Sequence, residues 1–239
     1  MVLPNRVRQA ARALRNRVTG VGLSPLSRTV MDEGLTYLAP AKLRRIEGAL
    51  RSVREVRGDF AEFGVALGGS AILIATAASQ RQFHGFDVFA MIPEPTSDKD
   101  DEKSKKRYDK IRSGKSAGID GQLYYGYRSD LFSQVKDSFA RHELPVGENG
   151  IHLHKGLFED TWPTARVNSL ALAHIDCDWY DPVRYCLQVI APKLSRGGVI
   201  IIDDYHDYGG CKTAVEEFLN QNPSFMFEDG PNPILRRPK

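Results

Sequence analysis

Three aspartates follow two apolar segments that are far apart in the chain. Asp176 comes after residues 169–175, and Asp203 with Asp204 comes after residues 199–202. Each segment has the length and composition of a buried strand, and neighbouring parallel strands end at the same edge of a sheet. Carboxylates without a cluster of histidines or cysteines favour Mg²⁺ or a similar ion, which also offsets their mutual repulsion. The spacing therefore predicts a metal site formed by Asp176, Asp203 and Asp204.

An alternative interpretation makes the two adjacent aspartates a simple cap of the following helix, with Asp204 pointing to water. The neighbours of Asp176 favour the metal instead, since His174 and Asp178 place further polar groups at the same strand end. Polar groups gathered in this way are typical of a ligand-binding site.

A second candidate site is the turn at residues 62–70, with the sequence EFGVALGGS. Its GxxxGG spacing differs from the GxGxxG of dinucleotide sites and argues against a nicotinamide cofactor. Glu62 suits the ammonium group of an amino-acid moiety, and the backbone from Gly64 to Ser70 leaves room for its carboxylate near a helix N-terminus. Asp87, at the end of the next strand, can accept both hydroxyl hydrogens of a ribose. The combination favours a nucleoside linked to an amino acid over a plain tight turn.

Strands and helices alternate from residue 59 onward. This alternation is expected to bring the residues of the two candidate sites together. The predicted strands are 59–63, 82–87, 151–155, 169–175, 199–202, 225–228 and 234–236, and the predicted helices are 70–79, 129–142, 181–195 and 211–219. This rhythm predicts an α/β fold with a doubly wound, mainly parallel sheet and helices on both faces.

Two segments fall outside this rhythm. Residues 1–56, with a predicted helix from Pro40 to about Val56, are expected to form an N-terminal helical cap before the main domain at 57–239. Residues 91–127 are polar and rich in lysine, which predicts a mobile insertion. Its mixed charge is typical of a solvated helix or lid, and the alternative is a flap that closes over the acceptor and excludes water.

Composition excludes several classes of protein. A net charge of +3 is too small to indicate a nucleic-acid partner, and no apolar run is long enough to cross a membrane. Three cysteines without a CxxC pair predict reduced thiols in a cytoplasmic protein. Residues 1–20 hold five arginines and no acid, which predicts an amphipathic helix packed on protein, with a membrane surface or a transit peptide as alternatives.

Several motifs together resemble the TylF family of sugar O-methyltransferases. They are GDFAEFGVALGGS at 58–70, GLFEDT at 156–161, DCDWY at 176–180, DDY at 203–205, GCK at 210–212 and AVEEF at 214–218. The resemblance implies a seven-stranded, Rossmann-like class I methyltransferase that uses S-adenosylmethionine and Mg²⁺ and forms a homo-oligomer. It matches Asp176, Asp203 and Asp204 to metal ligands. The residues expected to contact the cofactor are Glu62, Gly64, Val65, Gly68, Ser70, Asp87, Phe158 and Asp176, with Phe158 near the adenine.

The acceptor implied by the resemblance is a small molecule with a hydroxyl group, sugar-like or another polyol. Asp176 is the expected general base, and His206 is a rival because imidazole titrates near neutrality, although a surface-loop histidine is an equal interpretation. The candidate acceptor contacts are Tyr37, Asp178, Tyr205 and Tyr125. Methylation of a catechol or phenol is an alternative reaction, and a non-catalytic cofactor-binding scaffold recruited by the basic N-terminal helix is an alternative role.

Overall fold

A seven-stranded sheet organises residues 20–239, the part of the chain that the computed structural model describes. The strands are β1 (Asp59–Phe63), β2 (Phe83–Asp87), β3 (Ile151–Lys155), β4 (Leu170–Ile175), β5 (Leu194–Ile202), β6 (Met226–Glu228) and β7 (Ile234–Arg236). Their order is β3-β2-β1-β4-β5-β7-β6. Strand β7 runs antiparallel to both β5 and β6, and the other pairs are parallel. The order reverses direction beside β1, which creates the crevice where such sheets bind ligands. The predicted doubly wound, Rossmann-like fold is confirmed.

Helices cover both faces of this sheet. They are α1 (Pro25–Asp32), α2 (Pro40–Ser52), α3 (Gly69–Ala78), α4 (Glu102–Arg112), α5 (Leu131–Arg141), α6 (Phe158–Thr161), α7 (Tyr180–Ile190) and α8 (Gly209–Gln221). One apolar core lies between the sheet and α1, α2, α3 and α5, and the other lies between the sheet and α7 and α8. The central strands β4 and β5 are therefore buried on both sides, which explains their continuous apolar sequences.

Several element boundaries differ from those predicted. Helix α7 ends at Ile190 rather than near residue 195, because the chain turns there and β5 already begins at Leu194, paired with Leu170. Helix α1 was not predicted, although Ser24 caps it and Pro25 opens it, which is a usual helix-start signal. The predicted basic helix of residues 1–20 lies outside the described residues, apart from residue 20.

The 91–127 segment carries regular structure that apolar periodicity did not reveal. Helix α4 buries only Ser104, Tyr108 and Ile111, and charged residues surround this narrow stripe. Two short 3₁₀ turns, Ile119–Gly121 and Tyr125–Tyr127, follow it. Among residues 20–239, no helix combines the length and the apolar character needed to cross a membrane.

Candidate functional site

A cavity of about 730 Å³ opens at the carboxyl ends of β1, β2, β4 and β5. Its walls come from the segment before α2, from the turn after β1, from the 91–127 segment and from the loops after β4 and β5. This is the edge of the sheet where open α/β folds bind their ligands. The cavity is large enough for a drug-sized molecule.

The three aspartates predicted to bind a metal lie together and line this cavity. Strand pairing places Ile175 beside Ile202, so that Asp176 and Asp203 leave adjacent strands at the same level. Asp176, Asp203 and Asp204 each offer one oxygen, and the three oxygens lie within 4.8 Å of one another. Asp203 and Asp204 are buried, and the Oδ1 atom of Asp203 has no hydrogen-bond partner among the described residues. The oxygen set and the unpartnered atom fit a hard divalent cation.

The charges of this cluster are balanced only in part by the chain itself. Burial, followed by repulsion from neighbouring acids, raises the pKa values of Asp176 and Asp204 well above their usual range. Lys42, on α2, places Nζ 2.8 Å from Oδ2 of Asp203 and 2.9 Å from Oδ2 of Asp207. Burial of Lys42 disfavours its charge, but these carboxylates outweigh that effect and raise the pKa of its ammonium group. The site therefore holds more carboxylates than nearby cations and favours binding of a positive ion.

The glycine turn touches the aspartate cluster directly. Gly64 has a positive φ of 96°, and a Cβ atom there would lie 1.8 Å from the backbone oxygen of Asp176, so only glycine fits. The carboxylate of Asp87 accepts hydrogen bonds from the backbone amides of Val65 and Ala66 at 2.8 and 2.9 Å. Asp87 thus holds the turn in place as well as lining the cavity.

Glu62 forms a pair that the sequence did not reveal. Its Oε1 lies 2.7 Å from Nδ1 of His174, and both side chains are fully buried. Strand pairing puts these two residues directly opposite each other on β1 and β4. Burial raises the pKa of Glu62, while the contact with His174 lowers it. Oε2 of Glu62 is buried without a hydrogen-bond partner among the described residues, and Glu62 itself does not line the cavity.

The remaining cofactor candidates surround the same turn. Val65 and Ser70 line the cavity, whereas Gly68 does not and instead begins α3 with a positive φ of 92°. Phe158 lines the cavity from α6, and its ring meets Phe63 edge-on with centroids 5.4 Å apart. These positions leave an apolar surface beside the polar turn.

The acceptor candidates divide into two groups. Tyr37, Tyr125 and Asp178 line the cavity, and the rings of Tyr37 and Tyr125 lie 6.0 Å apart. Tyr205 does not line it, and its hydroxyl group contacts Glu216 on the surface of α8.

His206 also lies away from the cavity. Its side chain is 49% exposed, and Nε2 is 3.0 Å from Oδ1 of Asp229. This placement outside the cavity favours the interpretation of His206 as a surface-loop histidine, and its role as a base stays a prediction. Arg107, Trp179 and Tyr208 also line the cavity, although none of them was a predicted site residue. Trp179 could have been found from its place in the DCDWY motif, whereas Arg107 and Tyr208 belong to none of the motifs.

Known O-methyltransferases resemble this chain in sequence. The sequence model of the macrocin-O-methyltransferase family, TylF, matches residues 16–224. A demethyldecarbamoylnovobiocin O-methyltransferase of Streptomyces niveus is 28% identical over 79% of the chain and 72% of its own length. An 8-demethyl-8-(2,3-dimethoxy-alpha-L-rhamnosyl)-tetracenomycin-C 4'-O-methyltransferase of Streptomyces olivaceus is 30% identical over 68% of the chain. A mycinamicin III 3''-O-methyltransferase of Micromonospora griseorubida is 30% identical over 74% of the chain. The chain spans only 58% and 65% of the length of the last two relatives.

Solved structures show the same fold. The O-methyltransferase NovP superposes with a TM-score of 0.71 over 98% of both chains, at 24% identity. The calicheamicin methyltransferase CalS11 gives 0.63 over 98% of this chain and 93% of its own, at 19% identity. An O-methyltransferase from Bacillus cereus in complex with SAH gives 0.57 over 98% and 99%, at 12% identity.

Proposed function

The chain belongs to the TylF macrocin-O-methyltransferase family, and we propose that it methylates a hydroxyl group of a sugar or a similar polyol with the help of Mg²⁺. The S-adenosylmethionine-dependent O-methyltransferase activity follows from the family. The observation that carries the metal proposal is the convergence of three aspartate oxygens, with Oδ1 of Asp203 left unpartnered. The rhamnosyl group in the name of one relative supports a sugar as the acceptor.

The residues around the glycine turn are suited to the donor. The free Oε2 of Glu62 can accept a hydrogen bond from the ammonium group of the methionine moiety. Gly64 lets that group approach the backbone, and the start of α3 near Ser70 favours its carboxylate. Oδ2 of Asp87 is occupied by the amides of Val65 and Ala66 and Oδ1 also accepts from the amide of Phe89, so Oδ1 keeps one position for a ribose hydroxyl. Phe158 offers an apolar face to the adenine.

Asp176, Asp203 and Asp204 would hold the cation. When bound, Mg²⁺ supplies a Lewis acid that favours ionisation of an alcohol, and S-adenosylmethionine supplies the methyl group. Because Gly64 packs against the backbone of Asp176, the donor turn and the metal ligands are fixed relative to each other. This arrangement aligns the two reactants, which is a large part of catalysis in a displacement reaction.

Proton removal is assigned to Asp176, which lines the cavity beside the proposed position of the cation. Asp178 is the second candidate, because it also lines the cavity and its backbone amide is held by the carboxylate of Asp204 at 3.0 Å. Asn substitutions separate the two. With Asp176 as the base, Asp178→Asn should leave kcat and the affinity for Mn²⁺ close to those of the parent protein, whereas Asp176→Asn should reduce both. A loss of kcat in Asp178→Asn at unchanged Mn²⁺ affinity would assign proton removal to Asp178 instead.

An assay with purified protein tests the proposal. We expect transfer of methyl groups to sugar or polyol acceptors, loss of transfer with EDTA, and recovery when Mg²⁺ is restored. Asp203→Asn should abolish turnover while S-adenosylhomocysteine still binds, and the exposed Asp98→Asn is a matched control that should behave like the parent protein. Methylation that survives complete chelation contradicts the metal requirement. Methylation of catechols in place of sugars contradicts the acceptor assignment.

A further inference from the structure

The two helices that follow the aspartate loops begin without caps of their own. Helix α7 starts at Tyr180, shortly after Asp178, and its N-cap residue makes no side-chain hydrogen bond. Helix α8 starts at Gly209, shortly after Asp204, and its N-cap residue likewise makes none. The first amides of a helix need acceptors from elsewhere when no local cap exists.

Two consecutive carboxylates of the 91–127 segment supply these acceptors. Oδ1 of Asp100 lies 2.9 Å from the backbone nitrogen of Tyr180, and Oδ2 of Asp101 lies 2.9 Å from that of Gly209. Asp101 also caps its own helix α4, since its Oδ1 accepts from the amide of Ser104 at 2.8 Å. Asp100 and Asp101 therefore cap the N-termini of three helices, α4, α7 and α8.

The fit of these carboxylates is close. Asp100 is 2% exposed, and a Cβ atom at Gly210 would come within 2.0 Å of its Oδ1. A Cβ atom at Gly209 would come within 2.8 Å of Oδ2 of Asp101. Because Gly209 and Gly210 have no side chains, both carboxylates can approach the start of α8 closely.

The helix starts are tied in turn to the aspartate cluster. The backbone oxygen of Asp204 accepts hydrogen bonds from the amides of Asp207 and Tyr208, the residues that lead into α8. Lys99 adds a third connection, because its Nζ lies 2.6 Å from Oε1 of Glu217 on α8 and 2.8 Å from the hydroxyl group of Tyr180 on α7. The segment therefore joins both loops that carry metal ligands.

We infer that Asp100 and Asp101 are positioning residues, whose carboxylates cap α7 and α8 and thereby hold the loops of Asp176 and Asp204 at the separation that a cation needs. The inference rests on the proposed function where it concerns the cation. It assigns the front of the 91–127 segment a fixed place in the site rather than the role of a moving flap.

The test compares Asp100→Ala and Asp101→Ala with Asp100→Asn, in the whole chain. Alanine removes the acceptor, whereas Asn at 100 keeps an oxygen for the amide of Tyr180, removes the charge and puts an NH₂ group in place of the buried Oδ2. Asp98→Ala, at an exposed position in the same segment, is the matched control. We expect the alanine variants to speed amide exchange at Tyr180 and Gly209, to weaken Mn²⁺ binding about tenfold and to lower kcat, with the KM for S-adenosylmethionine unchanged.

Asp100→Asn should restore the Mn²⁺ affinity to within about threefold of the parent protein. Faster exchange at both amides with unchanged Mn²⁺ affinity and kcat would reduce the two carboxylates to ordinary helix caps and overturn the inference, as would unchanged exchange. If the parent protein binds no Mn²⁺, the proposed metal site fails. In that case the exchange rates and kcat of the variants still decide whether these carboxylates position the loops.

Discussion

Lys42 offers the sharpest perturbation of the aspartate cluster, because it lies on α2, far from the other site residues in sequence. Its Nζ contacts the carboxylates of Asp203 and Asp207 and also the backbone oxygen of Asp203 at 3.0 Å. Lys42→Met keeps the length of the aliphatic stem and removes the charge. The variant therefore leaves the clustered acids without this counter-ion.

The size of the effect follows from burial. Loss of one partner from a buried ion pair costs about 3–5 kcal/mol, whereas an exposed pair contributes about 0–1 kcal/mol. The side chain of Lys42 is 17% exposed and that of Asp203 is 6%, but Asp207 is 48% exposed. We therefore expect unfolding to become easier by about 2–3 kcal/mol, which lowers Tm by roughly 5–10 °C in a chain of this size.

Thermal unfolding with and without Mg²⁺ is the assay. Because a bound cation would supply the missing charge, Mg²⁺ should raise the Tm of Lys42→Met by more than that of the parent protein and recover at least half of the loss. Lys212→Met is the matched control, since Lys212 lies 3.8 Å from Glu216 in a pair about half exposed on both sides. That control should change stability by less than about 1 kcal/mol, with no dependence on Mg²⁺. An equal loss of Tm with and without Mg²⁺ would show that a cation does not replace the charge of Lys42 in this cluster.

Three further predictions concern the donor site and His84 on β2. Glu62→Gln removes the charge of the acceptor and should weaken S-adenosylhomocysteine binding by about tenfold or more in calorimetric titration, with unchanged affinity contradicting its role. Gly64→Ala forces a Cβ atom against the backbone of Asp176 and should impair both donor and Mn²⁺ binding, whereas loss of only one shows that the two sites are independent. Burial, followed by the charges of His154 and His152, lowers the pKa of His84 to about 4, so the unfolded chain takes up a proton below its usual pKa near 6.5 before the folded chain does. The contribution of His84 to stability should fall by about 2 kcal/mol between pH 7.5 and pH 5, measured in urea unfolding as the difference in pH dependence between the parent protein and His84→Phe.

The sheet and much of the site could be predicted because their signals are local. Apolar runs that end in acids mark the strands, and parallel pairing then brings Asp176 and Asp203 to one edge of the sheet. The same logic could have found the pair of Glu62 and His174, since each lies just before the end of its strand.

The contacts that could not be predicted join segments far apart in the chain. Lys42 reaches Asp203 across 161 residues, and Asp101 reaches Gly209 across 108, with no periodic pattern to announce either contact. The bounds of helix α4 could not be predicted for a related reason, because its buried stripe is narrow and most of its surface is charged. Such contacts depend on tertiary packing rather than on local sequence.

The most direct measurement is anomalous diffraction from crystals grown with Mn²⁺ and S-adenosylhomocysteine. We predict one strong peak at about 2.0–2.3 Å from oxygens of Asp176, Asp203 and Asp204, a spacing usual for a hard divalent ion. The donor's ammonium group should lie within hydrogen-bond distance of Oε2 of Glu62. An ordered donor site with no peak at these aspartates, or with the peak elsewhere, would contradict the central claim.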